Sequence, residues 1–178
     1  MSQNEKVGFF SNLPEREKLQ ITLPSGREIT ILESTGREEK ILARLGQDRS
    51  KFYDTFAAYL VGITENLDGQ EGKIPPSKFD EMLVGDRMYI IFQARMLTHG
   101  PTVHHKLLCP GCNRSSEHEV DLQAVVDSMK PYPKGDQREF SVDLGGGLLH
   151  YELPTGRTEA RIDRDKDGGV NAKLRSMR

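Results

Sequence analysis

The sequence predicts an α+β fold in which a central helical portion packs beside a small β-hairpin and is flanked by short β-units. Three patterns indicate this class. Apolar residues alternate on both sides of Pro24-Ser25-Gly26, apolar residues recur at helical spacing through residues 37–98, and a Cys-Pro-Gly-Cys turn separates two predicted strands. With 178 residues, 35% hydrophobic and 29% charged, the chain forms one domain or two small lobes.

The first half of the chain is predicted to place a hairpin before two helices. Residues 19–32 read as a strand, a turn and a strand, because Pro and Gly in the middle favour a reversal. Ser34-Thr35-Gly36 opens a helix that ends at Gly46, and a second helix covers residues 50–65. The polar, glycine-containing residues 66–73 are expected to form a loop.

The middle of the chain should contain a short helix from Ser77 and then a longer apolar helix that ends at Gly100-Pro101. Gly85 breaks the first helix. Asp86 follows it directly, and an aspartate before an apolar periodic run is typical of an N-cap. We therefore expect the Asp86 side chain to cap the longer helix rather than to act as a catalytic acid.

Two further hairpins are predicted after this helix. Residues 102–108 and 115–120 form strands on either side of the cysteine turn, and Asp121 can cap a short helix that stops before Pro131. Residues 138–144 and 148–153 form a hairpin around three glycines. The expected organisation is an arm at 1–18, a β-hairpin at 19–36, a helical core at 37–101, a cysteine hairpin plus helix at 102–130, a C-terminal β-unit at 131–162 and a charged tail at 163–178.

The only two cysteines, Cys109 and Cys112, have the spacing of a zinc knuckle. A glycine inside such a turn lets backbone amides point at the thiolate sulfur. The chain has no second cysteine pair, so His105 and His118 are the candidates that complete a Cys2His2 zinc site. Two alternatives remain: a knuckle that no longer binds metal, and a redox pair. The redox interpretation is less favoured, because thioredoxin-like cysteine pairs open a helix.

Several other functional classes are not favoured. The net charge of -2 gives no electrostatic basis for nucleic-acid binding, and no apolar run is long enough to span a membrane. The N-terminus lacks the apolar segment of a signal peptide, so we expect synthesis in the cytoplasm. No nucleophile, base and orienting group are recognisable, so we expect neither an enzyme nor a small-molecule substrate.

A calcium-like pattern and an internal repeat are also present. Asp163 to Val170 matches the first half of an EF-hand loop, but position twelve is Leu174, and the Leu153-to-Gly156 turn is expected to prevent a helix upstream. A solvated turn is the simpler interpretation. The Leu-Pro-Thr-Gly of that turn resembles Leu-Pro-Ser-Gly at Leu23 to Gly26. The two segments are either similar turns or a duplicated small β-unit.

The order of motifs from Leu83 to Leu122 resembles baseplate hub and tail-assembly proteins of contractile-tailed bacteriophages of the T-even type. The Leu23-Pro24-Ser25-Gly26 unit and the helix containing Glu38 to Leu42 also look like that family, so the resemblance covers roughly residues 19–160. The matching residues are Leu83, Gly85, Asp86, Arg87, Ile90, Arg95, Gly100, Cys109, Pro110, Cys112, Val120, Asp121 and Leu122.

The resemblance implies a non-enzymatic structural or assembly role at the baseplate of a contractile tail or of a related injection particle. The partners would be hub, wedge, tube or other tail proteins, and the chain would pass from the host bacterial cytoplasm into the virion. Two alternatives are a tail-assembly chaperone that leaves before maturation and a zinc-knuckle adaptor that binds nucleic acid or a regulatory protein.

Overall fold

The computed structural model describes residues 15–45, 52–132, 135 and 137–164, and it confirms the mixed α+β class. Helices and short antiparallel strands alternate along the chain. In order, the elements are β1 Lys18–Thr22, β2 Glu28–Leu32, α1 Gly36–Leu45, α2 Phe52–Ile63, β3 Thr64–Leu67, β4 Gln70–Glu71, α3 Pro76–Asp80, α4 Val84–His99, β5 Thr102–Leu108, β6 Ser115–Asp121, α5 Leu122–Ser128, β7 Glu139–Asp143, β8 Leu148–Glu152 and α6 Gly156–Arg164.

A four-stranded antiparallel sheet in the order β1-β2-β3-β4 forms one side of the core. The central strand β2 contributes Ile29 and Ile31, which are fully buried, and Leu67 of β3 pairs with Ile29. The loop predicted at 66–73 is therefore partly wrong. Asp68 and Gly69 both have positive φ (52° and 81°), and this Asp-Gly pair makes the tight turn that such dipeptides favour.

The helices α2, α3 and α4 cover this sheet and complete one hydrophobic core. α2 contributes the largest set of buried side chains, and α1 packs beside it. Thr35 begins α1 as predicted: its hydroxyl donates to Glu38 Oε2 at 2.5 Å, and its backbone N–H donates to the same oxygen at 2.9 Å. The core residues are Leu23, Ile29, Ile31, Phe56, Tyr59, Leu60, Ile63, Leu67, Ile74, Phe79, Met82, Ile90 and Ala94.

The start of α4 corrects the prediction for Asp86. The helix begins three residues earlier than predicted, at Val84, with Leu83 as an N-cap that has no side-chain cap hydrogen bond. Asp86 lies in the first turn, is only 1% exposed, and accepts a hydrogen bond from the Ser25 backbone N–H at 3.1 Å. Asp86 therefore ties the β1–β2 turn to the helix instead of capping it, because a distant loop reaches its carboxylate.

The neighbours of Asp86 in α4 are equally constrained. Gly85 lies directly against the Tyr132 hydroxyl, which leaves no space for a side chain there. Arg87 is 2% exposed, its guanidinium lies 4.5 Å from the centre of the Phe56 ring, and it pairs with Glu159 of α6 at 3.4 Å. We call Gly85, Asp86 and Arg87 the GDR junction.

The two Leu-Pro-x-Gly segments approach the start of α4, one from the N-terminal part of the chain and one from the C-terminal part. Ser25 of the first contacts Asp86, as described above. In the second, Thr155 forms an isolated β-bridge with Leu83, and Gly156 N–H donates to the Met82 carbonyl at 3.2 Å. The segments are not copies of one β-unit, because the first is a turn between two strands and the second leads into a helix.

The helix α6 contradicts the prediction that no helix could lie upstream of the calcium-like loop. The Thr155 hydroxyl accepts from Thr158 N–H at 3.3 Å, and the Thr155 carbonyl accepts from Glu159 N–H at 3.0 Å. The Pro-Thr-Gly sequence thus opens a helix, as threonine at an N-cap favours. The calcium-like segment from 165 onward lies outside the described residues.

Gly156 should tolerate no side chain. A Cβ there would overlap the Arg87 guanidinium and stand 3.2 Å from the Asp80 carbonyl oxygen. Because Arg87 is buried and cannot move into solvent, we expect Gly156→Ala to lower the free energy of unfolding by about 1–3 kcal/mol, as measured by urea denaturation. Gly36→Ala is the matched control: Gly36 also begins a helix, but a Cβ there meets no atom within 4 Å. Equal stability of the two variants would contradict this account.

Asp86 should make stability depend on pH. Burial raises the pKa of its carboxyl above the ordinary value of 3.8, although hydrogen bonds from Ser25 oppose the shift. The folded state then holds the proton more tightly than the unfolded chain, so stability falls as pH rises from below 3.8 through the raised pKa. Asp86→Asn keeps an oxygen acceptor and removes the titration.

We therefore expect the stability of Asp86→Asn relative to the unsubstituted chain to increase between acidic and neutral pH in urea denaturation. Glu117→Gln, which changes an exposed carboxylate on β6, is the control and should alter stability by less than about 0.5 kcal/mol at each pH. A stability difference for Asp86→Asn that is constant with pH would show that the carboxylate is not destabilised by burial.

Candidate functional site

The cysteine turn at the end of the β5–β6 hairpin is closed by its own backbone. Asn113 N–H donates to the Cys109 carbonyl at 2.9 Å, and Cys109 N–H donates to the Arg114 carbonyl at 2.9 Å. Asn113 has a positive φ of 56°, which asparagine tolerates better than most residues. Both cysteines are free and exposed.

The Cys109 sulfur is held in an environment that favours the thiolate. Hydrogen bonds from the Gly111 and Cys112 backbone N–H groups, and then from the Cys112 side chain, lower the pKa of Cys109 from the ordinary 9.0. This is the amide arrangement expected of a zinc knuckle from the sequence, and it also makes the sulfur a better nucleophile at neutral pH. The turn therefore favours the thiolate form of Cys109 and places the exposed Cys112 three residues from it.

The structure brings the two candidate histidines together, but away from the cysteines. His105 and His118 are direct cross-strand partners on one face of the hairpin, and Ser116 Oγ lies 2.8 Å from His118 Nε2. His105 lies four positions before Cys109, a distance of about 13 Å at the rise of a β-strand. Among the described residues, no group of three or more His, Cys, Asp or Glu side chains is arranged to hold a metal ion.

The Cys2His2 zinc site thus remains a prediction, and the hairpin must bend for the cysteine pair and the histidine pair to meet. Ligand atoms bound to one zinc ion lie about 4 Å from each other. The extended hairpin holds the cysteine pair and the histidine pair farther apart than this. The redox alternative also remains untested. The turn lies between strands rather than at the start of a helix, as the sequence predicted.

Most residues that carry the family resemblance have structural contacts in this chain. Asp121 caps α5 as predicted, accepting a hydrogen bond from Gln123 N–H at 2.9 Å. Arg95 donates to the Gly100 carbonyl at 3.2 Å, and Gly100 ends α4 with a φ of 78°. Together with the GDR junction, these contacts explain why those residue types occur at those positions without requiring a ligand.

The β7–β8 hairpin carries an exposed apolar face that the sequence analysis did not single out. Phe140 and Tyr151 are cross-strand partners whose rings stack with centroids 5.4 Å apart, and Val142 pairs with Leu149 on the same face. Leu149 is 40% exposed and Tyr151 46%. The alternation of Phe140 and Val142 with polar residues in β7 was the available signal for this face. We call Phe140, Val142, Leu149 and Tyr151 the hairpin face.

An open polar cleft lies over the buried Asp86. Its volume is about 290 Å³. Two of its charged side chains neutralise each other, since Arg27 binds Asp68 at 2.6 Å. The cleft therefore offers mixed charge at the junction between the first turn and α4. Its lining residues are Ser25, Arg27, Asp68, Lys78, Glu81, Met82, Leu83, Asp86 and Arg138.

The comparisons with known proteins identify no relative. No family model matches the chain, and no curated protein or solved structure is significantly similar to it. In the described part of the chain, none of the helices combines the length and the hydropathy needed to cross a membrane. The interpretation of function therefore depends on the residues and contacts described above.

The cysteine turn predicts an activated Cys109. In a Cys112→Ser variant, which keeps the backbone donors, alkylation by iodoacetamide should follow a titration whose midpoint lies below the ordinary thiol value of 9.0. The same variant unfolded in urea is the control and should show an ordinary midpoint, because the amides no longer point at the sulfur. Identical pH–rate profiles for folded and unfolded protein would contradict the geometry of the turn.

Proposed function

We propose that this chain is a structural or assembly subunit that works through protein–protein contacts, and that its assembly is the baseplate of a contractile phage tail or a related injection particle. Two kinds of support lead to this proposal. The order of motifs between Leu83 and Leu122 resembles that of baseplate hub and tail-assembly proteins, and the β7–β8 hairpin exposes apolar side chains outside the core.

The hairpin face is the observation that carries the proposal. A two-stranded hairpin is marginally stable on its own, and contiguous exposed apolar surface commonly marks a site of protein contact. Both edges of β7–β8 are unpaired within the described residues, so a partner can add a strand as well as cover the face. At the turn of the hairpin, Leu144 is 68% exposed, and Leu148, which pairs with Asp143 on the other face, is 58% exposed.

The alternative roles differ in where the chain is found. A baseplate subunit is retained in mature particles, whereas an assembly chaperone is present only in intermediates. A zinc-knuckle adaptor would be found neither in mature particles nor in assembly intermediates and would bind nucleic acid or a regulatory protein. The Cys turn is the only feature that favours the adaptor, and the net charge of -2 disfavours the nucleic-acid form of it.

The decisive experiment measures the chain in particles and tests the hairpin face at the same time. Cells that produce contractile particles carry the chain either unsubstituted, as Leu149→Glu or as His150→Glu. We expect the unsubstituted chain at a fixed, low ratio to tube and sheath proteins by mass spectrometry of purified particles. Leu149→Glu should reduce its incorporation at least tenfold, because a buried carboxylate replaces an apolar contact.

His150→Glu is the matched control. His150 is exposed, pairs with Ser141, and lies on the other face of the same strand, so incorporation should be retained. Circular dichroism establishes that both variants fold. Presence of the unsubstituted chain only in intermediates would replace the subunit by a chaperone. Absence from both particles and intermediates would overturn the contractile-tail proposal and leave the adaptor.

A further inference from the structure

The end of the β5–β6 hairpin is free to meet another molecule. The seven residues of β5 separate the cysteine turn from the end of α4 by about 20 Å at the rise of a β-strand. The side chains at this end are open to solvent: Leu107 is 55% exposed, Leu108 is 65% exposed, and both cysteines are exposed. A second protein can therefore approach Cys109 and Cys112 without contacting the core.

The cysteine turn supplies two of the four ligands that a structural zinc ion requires. Zinc in such sites is tetrahedral and is bound by four Cys or His side chains. The described residues contain no third ligand close enough to join Cys109 and Cys112, and His105 is separated from them along the strand. Within the described part of the chain the pair is thus half of a site, and the remaining ligands come from elsewhere.

We propose that Cys109 and Cys112 bind a zinc ion together with the same two cysteines of a second copy of this chain, joining two molecules through the ends of their β5–β6 hairpins. A two-fold axis through the metal makes the two turns equivalent and provides four thiolates. This proposal goes beyond the baseplate role and does not depend on it.

The charge and the exposed apolar residues around the cysteine turn are compatible with a contact to a second copy of the chain. Residues 107–116 contain one charged side chain, Arg114, and no acidic residue. Four thiolates around Zn²⁺ carry a net charge of about -2, since each ligand is deprotonated, and one Arg114 from each copy offsets that charge. Leu107 and Leu108 directly precede Cys109 and are exposed, and because consecutive strand residues point to opposite faces, a contact between the two turns can cover one of these leucines from each copy.

The test measures zinc content and mass in the same samples. The chain is purified with a non-thiol reductant, stripped of metal with a chelator and titrated with ZnCl₂. We expect a monomer without metal and, with zinc, a dimer that contains one zinc ion per two chains by sedimentation equilibrium and elemental analysis. The chelator should return the dimer to monomer, which separates metal bridging from an intermolecular disulfide.

Two sets of variants distinguish this site from one formed within a single chain. Cys109→Ser and Cys112→Ser should each abolish both dimer formation and zinc binding. His105→Asn combined with His118→Asn should leave both unchanged. Because these side chains are exposed or lie outside the core, the variants should retain the circular dichroism spectrum of the parent chain.

Three results would overturn the proposal of a zinc-bridged dimer. One zinc ion per monomer that is lost with the histidine variants would establish a Cys2His2 site within one chain and overturn the proposal. A zinc-bound monomer that does not depend on the histidines, or a failure to bind zinc at all, would overturn it as well. None of these results changes the particle measurements that test the baseplate role, so the two proposals fail independently.

Discussion

The burial of Asp86 and Arg87 at the start of α4 is the constraint on which the rest of the fold depends. A buried charge is costly unless other groups surround and bind it. Here the β1–β2 turn donates to Asp86, whereas Phe56 and Glu159 contact Arg87. One helical turn thus connects a turn near residue 25, which donates to Asp86, with a helix near residue 159, which supplies the ion pair to Arg87.

Local features of the sequence predicted local structure well, whereas contacts between distant segments account for its failures. Thr35 and Asp121 cap helices because the backbone N–H groups that they accept from lie only two residues further along the chain. The Asp86 side chain looked like a cap for the same reason, but the Ser25 N–H, sixty-one positions away, binds it instead. β3 was missed because its strand character comes from pairing with β2, which the sequence of residues 64–67 does not reveal.

For the candidate zinc site too, local structure was predictable from the sequence and the distances between its ligands were not. The Cys-Pro-Gly-Cys turn and its two strands follow from sequence, as does the pairing of amides with the Cys109 sulfur. The sequence did not predict the register in which β5 pairs with β6. Once Thr102 pairs with Asp121, His105 falls opposite His118, several residues from the turn. A count of residues between ligands had suggested one site, and the extended geometry of the strands separates its members.

The residues that stabilise the fold and the residues that are exposed on the hairpins form separate sets. Residues of the GDR junction and the Arg95–Gly100 contact stabilise the fold, so their positions in the sequence are explained by architecture rather than by a binding partner. The groups free to bind a partner lie on two hairpins that contribute nothing to the core cluster. One hairpin offers sulfur ligands and the other an apolar face, and the two require different chemistry from whatever they meet. Under the two proposals, one neighbour would be held through metal and another through apolar contact, and the core cluster, which contains no residue of either hairpin, would not have to rearrange for either.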